Sequence, residues 1–144
     1  MLESDLIPYA TSDCIGEAPA LVLAPHPDDE VLGCAGAILS HLAAGHRVDV
    51  VIVTDGRLGI TDPTISDEQA RAIRVRESEQ AAALLGYGRP EFWGYGDRSL
   101  TCTDELVERL SRRIVEGGYR SLFVPSPLEV HPDHRALTSI AIKA

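Results

Sequence analysis

Short apolar runs alternate along the chain with longer segments in which apolar residues recur at helical spacing. The runs have the length of strands, and the first two are apolar almost throughout, which is typical of strands buried on both faces of a parallel sheet. The pattern predicts strands at Ala20–Ala24, Val48–Thr54, Glu91–Tyr95 and Ser121–Pro125.

Helices are predicted between and after these strands from their start and stop signals. Ser66 and Gln69 form a capping-box pattern, in which each side chain bonds the backbone of the other residue. Glycines that follow apolar helical segments mark helix ends, because glycine readily adopts the left-handed conformation there. The predicted helices run from Glu30 to Ala44, from the capping box to Gly86, from a cap at Thr103 to Gly117 and Gly118, and from Pro132 to Ala144.

Alternation of strands and helices predicts an α/β fold built on a parallel sheet. Crossovers between parallel strands are right-handed, which limits the possible topologies. We expect a doubly wound sheet with the strand order 3-2-1-4. Residues 1–19 show no clear period and are interpreted as a lead-in segment, and residues 20–144 as a single domain.

The tripeptide His-Pro-Asp occurs twice, each time directly after or shortly after a predicted strand. His26 follows the first strand, and His131 follows the fourth. These strands are neighbours in the predicted order, and ligands bind where the strand order reverses, at the carboxyl ends. Both tripeptides are therefore expected to open onto one crevice.

The residues around the tripeptides are typical ligands of a catalytic metal site. Two imidazoles, from His26 and His134, and one carboxylate would leave a coordination position open for water. Asp29 is three residues from His26 and shares its helix face, but spacing alone leaves Asp28 and Asp29 as alternative ligands. Asp28 is also positioned to take a proton from the water that the metal activates.

Two further residues of the second tripeptide have predicted roles. His131, three residues before His134, is positioned to donate to an oxyanion that forms on the substrate. Asp133 is a carboxylate that can hold one of these imidazoles in the tautomer that metal binding needs. The competing interpretation is that all these residues only shape turns and cap helices.

The chain resembles the PIG-L/LmbE-like family of metal-dependent N-deacetylases, which act mostly on N-acetylglucosamine derivatives. The resemblance is carried by PHPDDE at residues 25–30 and HPDH at residues 131–134. TDG at 54–56, RESEQAAALLG at 76–86 and GYGDRSL at 94–100 are weaker matches.

The resemblance implies a Rossmann-like fold and hydrolysis of an N-acetyl or related N-acyl group from an N-acetylglucosamine-type substrate. It implies Zn2+, with Fe2+ as an alternative, and selects Asp29 as the carboxylate ligand. The implied roles are metal ligands for His26, Asp29 and His134, general base for Asp28, stabilisation of the tetrahedral intermediate for His131, and support of His131 for Asp133.

Substrate contacts are expected from two residues beyond the metal site. Asp97 stands where relatives often bind substrate, and Arg57 follows the second strand at the same end of the sheet. Glu129 stands where some relatives carry a tyrosine that helps at the oxyanion. The chain ends soon after the fourth strand, where relatives continue, so we expect an apparently truncated sheet whose open edge favours homo-oligomers.

Composition narrows the class of protein. The 144 residues carry a formal net charge of −9, which argues against a nucleic-acid-binding face. No apolar run has the length of a membrane span, and the three cysteines form no C-x-x-C pair, so we expect a reduced, cytoplasmic protein. The alternatives are a metal-dependent amide hydrolase with a non-sugar substrate, a non-haem iron enzyme, a nucleotide-binding module and a non-catalytic fragment.

Overall fold

A computed structural model of the protein describes residues 15–144. Its strands and helices alternate, as the sequence predicts. The elements are β1 (Ala20–Ala24), α1 (Asp29–Ala43), β2 (Val48–Thr54), α2 (Asp67–Leu85), β3 (Glu91–Tyr95), α3 (Asp104–Gly117), β4 (Ser121–Phe123) and α4 (Pro132–Lys143). Most of the predicted lead-in segment lies outside the described residues, and its boundary with the domain at residue 20 stays a prediction.

The four strands form one parallel sheet in the order β3-β2-β1-β4, which confirms the predicted topology. Val22 in the centre of β1 is paired with Val50 of β2 on one side and with Phe123 of β4 on the other. The order reverses between β1 and β4, so the crevice that such sheets use for ligands lies at the carboxyl ends of these two strands.

Each face of the sheet carries its own apolar core, as the doubly wound architecture requires. On one face, Leu21 and Leu23 of β1 pack with residues of α3 and α4 that include Leu110 and Leu137. On the other face, Val22 of β1 packs with Ile38 of α1 and with residues of α2. Burying each of these side chains stabilises the fold by about 1.5–3 kcal/mol, so β1 and its two ends are held rigidly.

The fourth strand is shorter than predicted. It ends at Phe123 rather than Pro125, and within the described residues it pairs only with β1. Pro125 has no backbone N–H to donate, and its carbonyl accepts instead from the hydroxyl of Thr138 in α4, at 2.8 Å. The chain thus leaves the sheet at Phe123 and continues to α4.

Candidate metal centre

The two tripeptides meet at the carboxyl ends of β1 and β4, where α1 and α4 begin. His26 lies in the loop between β1 and α1, and Asp29 is the first residue of α1. His131 is the N-cap residue of α4, with proline at the first helical position. Proline at this position costs no helical hydrogen bond. The second tripeptide therefore begins α4 and lies beside the first tripeptide.

Three side-chain atoms from these segments form a nearly equilateral triangle. Asp29 Oδ2 is 3.2 Å from His26 Nδ1 and 3.2 Å from His134 Nε2, and the two nitrogens are 3.3 Å apart. In a tetrahedral zinc site with bonds of about 2.0–2.1 Å, neighbouring ligand atoms lie about 3.3–3.4 Å apart. The triangle therefore has the dimensions of one face of a zinc coordination tetrahedron.

A looser grouping replaces Asp29 by His131, whose ring nitrogen lies within 4.8 Å of ligand atoms on His26 and His134. We favour Asp29, because its oxygen lies 3.2 Å from both ligand nitrogens, the spacing of neighbouring zinc ligands. A second grouping joins His26 with His131, Asp97 and Asp133. There Asp97 and Asp133 approach the opposite nitrogen of His26, Nε2, which is the position of groups that orient a ligand.

Asp133 supports His26, not His131 as the resemblance implied. Its Oδ2 is 3.0 Å from His26 Nε2, whereas His131 Nδ1 accepts only the backbone N–H of Asp133, at 3.3 Å. A carboxylate can only accept, so His26 Nε2 carries a hydrogen toward Asp133, which leaves Nδ1, on the side of Asp29 and His134, as the nitrogen that a bound metal would use. The reason for the correction is the position of Asp133 in the first turn of α4, which turns its side chain inward.

The Asp133 carboxylate is fully buried and is fixed by two backbone groups besides His26. Oδ2 accepts the N–H of Arg98 at 2.7 Å, and Oδ1 accepts that of Leu100 at 3.1 Å. These hydrogen bonds satisfy both oxygens of the buried carboxylate. It ties the loop after β3 to the start of α4.

The pKa values of His26 and Asp29 are shifted because the two side chains lie close together. Burial alone would lower the pKa of His26, but hydrogen bonds to Asp29 and Asp133 outweigh it and raise that pKa. Burial alone would raise the pKa of Asp29, but His26 and His134 lower it. A carboxylate held ionised between two imidazoles is a donor set that suits a divalent cation.

His131 stands beside the triangle with a different protonation preference. Its ring packs edge-on against that of His26, with centroids 4.6 Å apart. Burial, followed by the charge of His26, lowers the pKa of His131. Because its Nδ1 accepts the Asp133 N–H, the neutral ring carries its hydrogen on Nε2 and can donate from there.

An open cavity adjoins the triangle, with a volume of about 200 Å³. Three of the five predicted residues outside the triangle, Asp28, Asp97 and His131, line this cavity together with His26. Its lining consists of His26, Asp28, Gly56, Leu58, Gly59, Arg74, Asp97, Arg98 and His131.

The sequence matches a known protein family. A family model described as PIG-L, GlcNAc-PI de-N-acetylase, matches residues 21–144. The chain belongs to the PIG-L family. This confirms the resemblance seen in the two tripeptide motifs, which now lie at one end of a sheet with the predicted strand order.

Among curated relatives in the PIG-L family, the diacetylchitobiose deacetylase of Thermococcus kodakarensis is 31% identical over 127 residues, covering 86% of this chain and 48% of the relative. A probable N-acetyl-alpha-D-glucosaminyl L-malate deacetylase 2 of Bacillus anthracis is 34% identical, covering 83% and 56%. This chain therefore spans about half the length of the curated relatives that it matches.

A solved structure gives the same result. The N,N'-diacetylchitobiose deacetylase of Pyrococcus horikoshii, complexed with its inhibitor MPG, superimposes with a TM-score of 0.82 at 35% identity. The match covers 86% of this chain and 48% of that one. The PIG-L fold is thus shared over nearly all of the described residues.

The predicted substrate residues differ in where they lie. Asp97 faces the PIG-L cavity, with Oδ1 3.4 Å from His26 Nε2 and Oδ2 accepting the N–H of Leu58 at 3.1 Å. Arg57 does not line the cavity. Its guanidinium turns toward Asp67 at the start of α2, at 3.1 Å, because the one-turn helix at Arg57–Gly59 points the side chain away from the metal triangle.

Two arginines at the cavity had no role predicted from the sequence. Arg74 of α2 donates to Asp28 Oδ2 at 2.6 Å. Arg98 lines the cavity, and its backbone N–H donates to Asp133. Arg74 lies 46 residues from its partner, in a helix with two other arginines, so no local pattern marks it. Arg98 directly follows Asp97, and that adjacency was the one available signal.

Within the described residues, no helix combines the length and the apolar character needed to cross a membrane.

Proposed function

We propose that this chain carries the catalytic centre of a metal-dependent hydrolase that removes the N-acetyl group of an N-acetylglucosamine-type sugar. The observation that carries the proposal is the triangle of His26 Nδ1, Asp29 Oδ2 and His134 Nε2, with sides of 3.2–3.3 Å. His26 lines the cavity beside it, and Asp29 and His134 line a second one. The relatives named as deacetylases of such sugars support the substrate class.

Zinc is the metal that we propose, held by His26, Asp29 and His134. Two imidazoles and one carboxylate with a free position are typical of catalytic zinc sites, although the same donors also suit Fe2+. When bound, the ion would polarise the acetyl carbonyl and acidify a water molecule. Asp133, hydrogen-bonded to His26 at 3.0 Å, would keep that imidazole in the ligating tautomer.

Asp28 and His131 would perform the proton transfer and the charge stabilisation. The carboxylate of Asp28 lines the cavity and would accept the proton of the attacking water, then return it to the leaving amine. His131 would donate from Nε2 to the oxygen of the tetrahedral intermediate. Asp97, at the same cavity, would contact the sugar.

The first test is the metal content of the purified chain, compared with a His134→Ala variant by elemental analysis. About one zinc or iron ion per chain, lost in the variant, is expected for a three-ligand site. His46→Ala is the matched control, because this histidine lies in the loop before β2, at the opposite end of the sheet.

The second test is release of a free amine from N,N'-diacetylchitobiose and from N-acetylglucosaminyl malate by the zinc-loaded chain. Amine release that requires His134 and Asp28 would support the proposal. Failure to bind metal after reconstitution would overturn the metal centre. Binding without amine release from either sugar would overturn the substrate class for this chain, leaving a non-sugar amide hydrolase or a non-catalytic fragment.

A further inference from the structure

Asp28 has a backbone conformation that residues other than glycine rarely adopt. Its φ is 127° and its ψ is −28°. Among the non-glycine residues that the structure describes, only Arg98 shares a positive φ, and it lines the same cavity. Such outliers persist only when surrounding contacts over-determine them, and they cluster at functional sites.

The carboxylate of Asp28 also does not cap its helix. Asp28 is the N-cap residue of α1, yet its side chain makes no capping hydrogen bond, whereas an aspartate in this position ordinarily accepts from the backbone N–H two or three residues later. Instead, Oδ2 accepts from Arg74 Nη2 at 2.6 Å. The carboxylate is therefore drawn away from the helix start and onto the wall of the cavity.

Contacts on both sides of the residue maintain this arrangement. Glu30 Oε2 accepts the backbone N–H of Asp28 at 2.9 Å. Arg74 Nη2 also donates to the carbonyl oxygen of Pro27, so one guanidinium holds the carbonyl before Asp28 and the Asp28 side chain together. The other terminal nitrogen of Arg74, Nη1, is 2.5 Å from Glu77 Oε2, which fixes the guanidinium from α2.

Glu30 and Arg74, which make these contacts with Asp28 and Pro27, are themselves held in place by burial. Glu30 is fully buried, and the Arg74 side chain is 14% exposed. A single arginine that bonds a carbonyl and a carboxylate at once gives geometric restraint as well as charge. A lysine would supply the positive charge, but not the planar group of donors with which arginine bonds two acceptors in fixed geometry.

We propose that Arg74 and Glu30 are positioning residues that clamp Asp28 in its strained conformation, so that its carboxylate faces the cavity instead of capping α1. This rests on the proposed function, in which Asp28 accepts a proton from the attacking water. Arg74 occupies Oδ2, so Oδ1 is the oxygen that takes the proton. Neither residue contacts the metal triangle, so the clamp affects turnover and not metal binding.

The kinetic test compares Arg74→Gln with Arg74→Lys, and Glu30→Ala with Glu30→Gln, in the zinc-loaded chain. A misplaced base costs up to about a hundredfold in rate, so we expect kcat to fall at least about tenfold in Arg74→Gln and Glu30→Ala. KM and zinc affinity should stay within about twofold. Glu30→Gln, which keeps an acceptor oxygen, should restore most of kcat, and Arg74→Lys should restore less.

Matched controls are available on the same helix. Arg76→Gln makes the same chemical change two residues from Arg74 at an exposed position. Glu68→Gln is the control for Glu30→Gln, because Glu68 lies in the first turn of α2 as Glu30 lies in the first turn of α1. A rise in KM for Arg74→Gln with unchanged kcat would show that Arg74 binds substrate, and would overturn the proposal.

A second measurement needs no enzymatic activity. Asp28→Gly and Asp28→Ala both remove the carboxylate and its ion pair, but only glycine tolerates a φ of 127°. Alanine is ordinarily the more stable of the two, because it restricts the unfolded chain. In the metal-free protein we expect the reverse, with Asp28→Gly melting several degrees above Asp28→Ala.

This gap in Tm should shrink or change sign when Arg74→Gln and Glu30→Ala are added, because the loop is then free to relax. A gap that is absent in the wild-type background, or unchanged after both substitutions, would overturn the clamp. If the wild-type chain hydrolyses no sugar, the proposed function fails while the Tm gap still decides whether Asp28 is clamped.

Discussion

Asp133 joins three parts of the site, although it does not line the cavity. Its buried carboxylate accepts from His26 and from two backbone N–H groups. Asp133→Asn keeps the size of the side chain but offers an amide, which no longer imposes the ligating tautomer on His26. We expect zinc affinity to fall about 10–100-fold, measured by competition with a chromophoric chelator.

The control for this prediction is Asp104→Asn, because Asp104 lies in the first turn of α3 as Asp133 lies in the first turn of α4. Equal zinc affinities for the two variants, with both chains folded, would contradict the role given to Asp133.

Gly56 shows how closely the second strand approaches the site. Its φ is +57°, and a Cβ built there would lie 2.5 Å from Pro27 Cδ. Gly56→Ala must therefore displace the His26–Asp28 loop as well as pay a backbone penalty. We expect weaker zinc binding and a lower Tm.

Gly88→Ala provides the comparison, because Gly88 has a φ of +87° with open space at the Cβ position. It should lower the Tm through the backbone penalty alone and leave zinc affinity unchanged. A parallel loss of zinc affinity in both variants would show that the contact with Pro27 is irrelevant.

At the scale of elements, Asp55 joins the end of β2 to α2 and to the loop after β3. Its Oδ2 is 2.7 Å from Arg71 Nε in α2, and its Oδ1 accepts the N–H of Asp97 at 3.1 Å. Burial would raise the pKa of Asp55, but the hydrogen bond from Arg71 and the two backbone N–H groups outweigh it and lower that pKa.

This direction predicts an acid-sensitive contribution to stability. A carboxyl group whose folded pKa lies below its unfolded value of about 3.9 stabilises fully above that pH, and the contribution is lost as pH falls through the folded pKa. Urea unfolding at pH 6 and at pH 3 should therefore show a smaller acid-induced loss of free energy in Asp55→Asn than in wild type. The exposed Glu105→Gln should match wild type, and an unchanged loss in Asp55→Asn would refute the prediction.

At the scale of the whole molecule, the metal triangle connects both faces of the sheet. Asp29 belongs to α1 on one face and His134 to α4 on the other. An ion bound only by the folded chain stabilises it by about 2.7 kcal/mol at a hundredfold excess over Kd. For a domain of this size that is a rise in Tm of roughly 5–10 °C.

Differential scanning calorimetry with and without zinc measures this shift. His134→Ala should abolish it, and His46→Ala should preserve it. A shift that persists in His134→Ala would place the stabilising zinc at another site.

The open edge of β4 keeps self-association as a prediction for the whole molecule. Within the described residues β4 pairs only with β1, and unpaired strand edges favour pairing between chains. Size-exclusion chromatography with light scattering is the measurement, and a clean monomer at high protein concentration would contradict it.

Local signals in the sequence determined the elements and their order. The apolar runs of β1 and β2, the capping box at Ser66 and the glycine at residue 86 each act within a few residues. The two tripeptides follow strands that must be neighbours in a 3-2-1-4 sheet, so their meeting was also predictable. The length of β4 was not, because it depends on where Pro125 finds its partner in α4.

The partners of individual side chains were decided only by the tertiary structure. Asp133 pairs with His26 across 107 residues and Arg74 with Asp28 across 46, while Arg57 turns to Asp67 instead of the cavity. Each pairing depends on the exact path of two loops and on the side chain's direction within its helix turn. Sequence patterns fix which residues reach one end of the sheet, whereas packing fixes which atom each of them meets.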